Sequence, residues 1–270
     1  MNSVTNKQLH KNGPTWPDAA DHEVFQSACA QSHSAVQWLA RLANSFQVPA
    51  SDGSHLHMSW ADEACAVRTN EIAPGTDVEM RLPELELQFR EHGTPTKHIM
   101  ALDDKSPAEA EAWSLIELLH RGIDRDKYSK ALPYDVTGLL SGDARHYQTL
   151  NLEAGFAELA GWLQAAAATL ADVASAKSKQ PVAVRFAPEH FSVFVRVHPG
   201  GDRPAVGNYI EAGFCAGDTK AGEPYFYALT KPGSATAEKL MVSQIRKDRL
   251  DFGDIAAFLA IESRLEALAV

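Results

Sequence analysis

Cysteine is scarce. The 270 residues hold three, Cys29, Cys65 and Cys215, far apart and with no C-x-x-C pair. A secreted disulfide framework uses cysteines in even, denser numbers, and cysteine-based metal or redox sites need closely spaced pairs, so both are excluded. The three thiols are expected to be reduced and mostly buried as small hydrophobes. Long apolar runs are missing too. The most apolar stretch, residues 154–174, is broken by Glu158, Gln164 and Asp172, so no membrane span is expected. Residues 1–13 are polar and offer no signal-peptide core, which leaves the cytoplasm as the expected location. Basic charge is also short, with 25 Lys and Arg against 35 Asp and Glu and a formal net charge of −10. Such a surface repels phosphate backbones and anionic head groups, so neither nucleic acid nor membrane is an expected partner. The densest basic run, Arg246-Lys247-Asp248-Arg249, is short and carries its own acid. A G-x-S-x-G nucleophile motif is absent, and the two glycines between Gly213 and Asp218 precede no helix, so that stretch reads as a turn rather than a phosphate loop.

What remains is an ordinary folding composition, 45% hydrophobic and 22% charged. The first 15 residues lack periodicity and read as a mobile tail. From Asp18 the apolar positions Phe25, Cys29, Val36, Leu39, Ala43 and Phe46 predict a helix, stopped by Pro49 and Gly53. Residues 57–69 read as one strand. Val78, Met80 and Leu82 alternate with polar neighbours, and the phase flips after Pro83-Glu84 to Leu85, Leu87 and Phe89, which predicts a turn or bulge between two stretches of strand. A turn at residues 91–94 and a short strand over 98–102 follow. Ser106-Pro107-Ala108-Glu109 predicts a capped helix with Trp113, Ile116 and Leu119 as its apolar stripe and Gly122 as its stop.

Residues 123–150 have no sustained period but carry Tyr128, Tyr134, His146 and Tyr147, a ring content that argues for order. Asn151 is expected to cap a long alanine-rich helix. Strands return after Pro181 as two alternating runs around a turn at residues 187–190, then at 209–214, 225–229 and 240–245, before a final helix capped by Asp251. Runs of strands without intervening helices point to antiparallel sheet and the α+β class. The expected organisation is a tail (1–15), an N-terminal half (16–122), a long connection (123–150) and a C-terminal half (151–270). Each half would be a helix–antiparallel-sheet–helix unit with its helices packed on the sheet.

Three motifs of the later half carry a resemblance: Arg185-Phe186-Ala187-Pro188-Glu189-His190-Phe191, Gly213-Phe214-Cys215-Ala216-Gly217-Asp218 and Glu223-Pro224-Tyr225-Phe226-Tyr227. With Trp16-Pro17 and the alternation over residues 78–89, the chain resembles a bacterial family of unknown function, domain-of-unknown-function family five-nine-nine-six. It differs from that pattern at Phe191-Ser192, where the family tends to Phe-Asp, and at Cys215-Ala216, where a Ser-Pro pair is common. The resemblance implies no activity, cofactor or catalytic residue, and it directs attention to the late strands.

Within those motifs His190, Asp218, Glu223 and Tyr225 are candidates to converge on a ligand, since loops on a rigid scaffold often carry sites. The bland alternative is that they fix turns. Tyr227 shares a strand face with Tyr225, and the pair would either line a pocket or belong to the core. Asp143 and His146, three apart in the connection, suit an acid orienting an imidazole, or a local hydrogen bond. Tyr134 borders the same region. His55 and His57 are spaced to place two imidazoles on one strand face and, with His146, supply a candidate metal set. The leading expectation is a cytosolic protein binding a small molecule in a crevice between its halves. The alternatives are a protein-interaction module without catalysis and a metal-dependent hydrolase on His55, His57 and His146. The sequence assigns no cofactor.

Overall fold

The computed structural model describes residues 16–175, 182–198, 208–217, 222–232, 237–261 and 264. The expected tail, the polar exit expected at 177–180, the turn expected at 199–202 and Asp218 lie outside them. Helix α1 is His22–Phe46, entered through Asp21, whose carboxylate accepts the Glu23 and Val24 N–H groups. Phe25, Cys29, Val36, Leu39 and Ala43 are buried along it, as the helical period requires.

Five strands follow: β1 (Met58–Ala61), β2 (Ala66–Arg68), β3 (Thr76–Arg81), β4 (Glu86–Glu91) and β5 (Thr94–Ala101). Each pairs antiparallel with the next. Residues 57–69, read from sequence as one strand, are instead a hairpin. A single 3-10 turn, Asp62–Ala64, ends at Cys65 with φ 46 and reverses the chain. The phase flip after Pro83 is also a reversal, with Leu85 at φ 50. It sets Val78 opposite Phe89 and Met80 opposite Leu87 on one face. His92 (φ 50) and Gly93 (φ 77) form the two-residue turn into β5, the left-handed pair that matches strand twist.

Helix α2, Pro107–His120, opens on a complete capping box: Glu109 N–H donates to Ser106 Oγ at 3.2 Å and Ser106 N–H to Glu109 Oε2 at 2.8 Å. Its buried face keeps only Trp113 of the expected stripe, edge-on to Phe89 at 5.5 Å. Ala110, Ser114, Glu117 and Leu118 are buried, while Ile116 and Leu119 are 50% and 56% exposed. Residues 123–150 contain one short 3-10 turn, Arg125–Lys127, and otherwise run irregularly over the helices. They are packed down. Tyr147 is fully buried, accepts Trp38 Nε1–H at 2.9 Å, and exchanges backbone bonds with Lys105 and Asp104.

Helix α3 is Glu153–Ser175. Asn151, expected to cap it, sits two residues earlier at φ 68, a left-handed conformation that Asn tolerates, and the helix opens with Phe156 N–H on the Leu152 carbonyl. A second antiparallel series follows: β6 (Arg185–Ala187), β7 (Ser192–Val197), β8 (Tyr209–Cys215), β9 (Tyr225–Lys231) and β10 (Glu238–Met241). Residues 240–245, expected as a strand, leave the sheet after Met241 and become helix α4, Val242–Asp248. The Glu223 carboxylate accepts both Ser243 N–H and Ser243 Oγ–H at 3.0 Å, giving this helix the cap that Met241 cannot. Helix α5, Phe252–Leu259, is capped by Asp251 as expected.

The ten strands form one antiparallel sheet in the order β10-β9-β8-β7-β6-β1-β2-β3-β4-β5, so the first strands of the two series, β1 and β6, pair at its centre. Period-two alternation then aligns the core. Met58, Phe186, Val193, Phe214, Phe226 and Leu240 face one another in a single buried row running from β1 to β10. Trp60, Val67, Met80, Leu87 and Met100 continue it from β1 to β5. Helices α1 and α3 pack on this face and on each other. Trp162 of α3 stacks between Trp16 (5.2 Å) and Phe214 (5.8 Å). The opposite face carries cross-strand ion pairs such as Arg68–Glu79 (2.8 Å), Arg90–Asp77 (3.0 Å) and Arg196–Glu211 (2.8 Å). Among the described residues no helix is long and apolar enough to cross a membrane.

Candidate functional site

At the centre of the sheet, beside the junction of β1 and β6, three separate segments enclose a hollow of about 300 Å³. The approach to β1 supplies Asp52, His55 and His57, the long connection supplies Pro133 and Tyr134, and the β6–β7 turn supplies Pro188 and Glu189. A network of neutral groups behind it ties the connection and the β6–β7 turn to α1. Tyr134 Oη–H donates to Gln37 Oε1 at 2.9 Å, and Gln37 Nε2–H donates to the Pro188 carbonyl at 2.9 Å and the His33 carbonyl at 3.1 Å. His33 Nε2–H reaches the same Pro188 carbonyl at 3.0 Å. Gln37 is fully buried, so each partner it satisfies would otherwise carry the cost of desolvation.

The electrostatics of the hollow follow from burial. His57 packs edge-on to Phe194 at 4.9 Å, and its pKa is lowered, first by burial and then by the nearby Arg196 guanidinium. His33 is lowered by burial as well. Both rings are therefore neutral at pH 7. His55 accepts Ala50 N–H at Nδ1 (3.2 Å) and turns Nε2 toward Asn44 Oδ1 (3.5 Å), so both its nitrogens are engaged. Burial raises the Tyr134 phenol well above its ordinary value, which keeps it a donor. Asp52 is exposed, and hydrogen bonds from Ser54 hold its carboxyl below the usual range. Glu189 is the second carboxylate of the lining, which contains no Lys or Arg.

Of the residues expected from sequence, His55, His57 and Tyr134 meet in this hollow and the others lie elsewhere. His146 is exposed, and the acid that holds it is Asp104, at 3.1 Å from Nδ1; this bond raises its pKa. The Asp143 side chain is exposed in the same loop. His190 is exposed with Glu189 Oε1 at 3.7 Å, and its carbonyl accepts the Cys215 thiol. Glu223 caps α4 and lines a separate hollow of about 290 Å³ with His22, Phe25, Glu158 and Arg246. Tyr225 and Tyr227 lie on the face away from the helices. Tyr227 Oη–H donates to Glu211 Oε1 at 3.2 Å, and Lys239 Nζ sits 3.8 Å above the Tyr225 ring. Asp218 is outside the described residues.

One cluster escapes the sequence reading. His98 on β5 and Glu117 and His120 on α2 hold ligand atoms within 4.8 Å of one another, the one such group of three or more His, Cys, Asp or Glu among the described residues. His55, His57 and His146 do not form one. The cluster adjoins an open groove of about 720 Å³ lined by Glu91, His92, residues 94–98, His120 and Arg121. The available signal was Glu117-x-x-His120, two ligand types one helical turn apart beside a histidine-bearing strand. Of the apolar stripe Trp113, Ile116 and Leu119, only Trp113 packs on the core, against Phe89 at 5.5 Å.

No family model, no curated protein and no solved structure matches the chain. The resemblance read from the late motifs rests on those motifs alone.

Proposed function

We propose that this is a cytoplasmic binding protein for a small molecule bearing a cationic nitrogen, taken up in the hollow where two helix–antiparallel-sheet–helix halves abut. Residues 16–122 and 151–270 would be those halves, and 123–150 the strap that closes the hollow between them. Support for the halves comes from the element order, in which a helix, five antiparallel strands and a helix are met twice. The observation that carries the ligand reading is the lining of the hollow: two carboxylates, Asp52 and Glu189, two imidazoles, and no Lys or Arg, the nearby Arg196 guanidinium being paired with Glu211 at 2.8 Å. An ammonium group there meets Asp52 and Glu189 as charge-assisted acceptors, while Leu56, Pro133 and Pro188 contact the rest of the molecule. His57, kept neutral, adds an acceptor without repelling the cation. The volume, about 300 Å³, suits a ligand of metabolite size.

A thermal-shift series tests this reading, because a ligand that binds only the folded state raises Tm. Small amines should raise it, and their neutral or acidic isosteres should not. The double variant Asp52→Asn, Glu189→Gln should lose the shift. Equal shifts from charged and neutral analogues, or an amine shift that survives in the double variant, would remove the proposal.

A further inference from the structure

We infer that His98, Glu117 and His120 bind one divalent transition-metal ion of the zinc class, at the edge of the sheet and away from the seam hollow. Glu117 Oε1 lies 3.1 Å from His98 Nδ1 and 3.6 Å from His120 Nδ1. Tetrahedral ligands bonded at about 2.0–2.1 Å stand roughly 3.3–3.4 Å apart, so the two separations to Glu117 bracket what a shared ion requires, and all three ligand atoms lie within 4.8 Å of one another. Two imidazoles and one carboxylate suit Zn²⁺, Co²⁺ or Ni²⁺. The oxygen-only shells of Ca²⁺ and Mg²⁺ are a different donor set.

The surroundings orient the ligands. Glu117 is 2% exposed, and its other oxygen, Oε2, is held at 2.7 Å by Arg121 Nη1. Arg121 is itself fixed, with its guanidinium 4.6 Å over the Phe89 ring and Nε ion-paired to Glu91 at 3.1 Å. The guanidinium therefore occupies one oxygen and presents the other, Oε1, toward both rings, as a second layer does around a metal ligand. Glu117 and His120 are one turn apart on α2, and His98 comes from the adjoining strand, so the three sit on regular elements rather than on loops. Both imidazoles are exposed, with side chains 64% and 54% accessible, which leaves a path for the ion. Three protein ligands leave a fourth position. A water or an anionic group would complete the shell, and His98 and His120 both line the groove containing His92, Thr94 and Lys97.

The test uses the untagged full chain, stripped with a chelator and titrated with Co²⁺ and Zn²⁺. The expected result is one saturable equivalent and the visible absorption of a low-coordinate Co²⁺ centre. His98→Ala and His120→Ala remove exposed side chains, so the fold should survive, and circular dichroism checks it. Each should weaken Zn²⁺ binding at least roughly tenfold, as the loss of a ligand must exceed the effect of losing an outer-layer partner. His55→Ala and His146→Ala should leave affinity unchanged. No saturable binding by the wild type, or stoichiometry and affinity that persist in the His98→Ala, His120→Ala double variant, would overturn the site and show that His98 only hydrogen-bonds to Glu117 and His120 only lies beside it. Either result is independent of amine binding at the seam.

Discussion

The seam hollow and the β5 edge both bring histidines against buried polar groups, and they satisfy those groups by opposite means. Behind the hollow, Gln37, Tyr134, His33 and the Pro188 carbonyl form a closed set of neutral donors and acceptors. At the edge a carboxylate is buried and paired with a guanidinium, with two exposed imidazoles on its free oxygen. A neutral network loses about one hydrogen bond's worth of stability when one member is cut, whereas a cut ion pair strands a charge. The comparison therefore predicts unequal fragility.

The largest effect belongs to the edge. Glu117→Gln leaves Arg121 with Glu91 as its remaining carboxylate and should lower unfolding free energy by about 3 kcal/mol, measured by urea denaturation. A loss no greater than that of the Gln37 variant would erase the contrast. Gln37→Ala, which frees the Tyr134 hydroxyl and removes two donors from α1, should cost about 2 kcal/mol. Tyr134→Phe breaks a single bond of the same network and should cost about 1 kcal/mol, with the amine-induced Tm shift reduced because the strap loosens.

The smallest effects are in pH dependence, and they differ in sign. His57 has a folded pKa below its unfolded value, so the unfolded chain takes the proton first as pH falls. Stability should decline from about pH 6.5 downward, the unfolded value, and His57→Gln should flatten that slope. His146 has a raised folded pKa from its bond to Asp104. Its contribution is present in full below the unfolded value and is lost as pH rises through the folded one, so His146→Gln should act in the opposite direction and more weakly, the ring being exposed. Denaturation midpoints measured from pH 5 to 8 on the two variants check both signs.

Much of the fold was legible because its signals are local. The Ser106–Glu109 capping box, the Asp251 cap, the phase flip at Pro83 and the alternation over residues 191–197 each announce themselves within a few residues. The misreadings share a cause. The hairpin of β1 and β2 is turned by Cys65 in a left-handed conformation, for which Cys carries no sequence signature. The strand expected at 240–245 becomes helix α4 because its cap, Glu223, lies some twenty residues away, before β9. The site followed the same rule. His55 and His57 were visible as a pair, but their neighbour is Tyr134, while the carboxylate on His146 is that of Asp104, Asp143 bonding the ring only through its backbone.

By itself the chain's pattern determined most element types, the antiparallel character of the strands and the exclusion of cysteine frameworks, since composition, periodicity and turn chemistry act over short separations. Which strands meet at the centre of the sheet, and which face of α2 is buried, were decided only in three dimensions. Glu117 goes inside, ahead of Ile116 and Leu119, because Arg121 on the same helix supplies its counter-charge and His98 arrives from a strand nineteen residues earlier. The Glu117–Arg121 pair is local, four residues apart, but the approach of His98 and the burial of the carboxylate are properties of the assembled core.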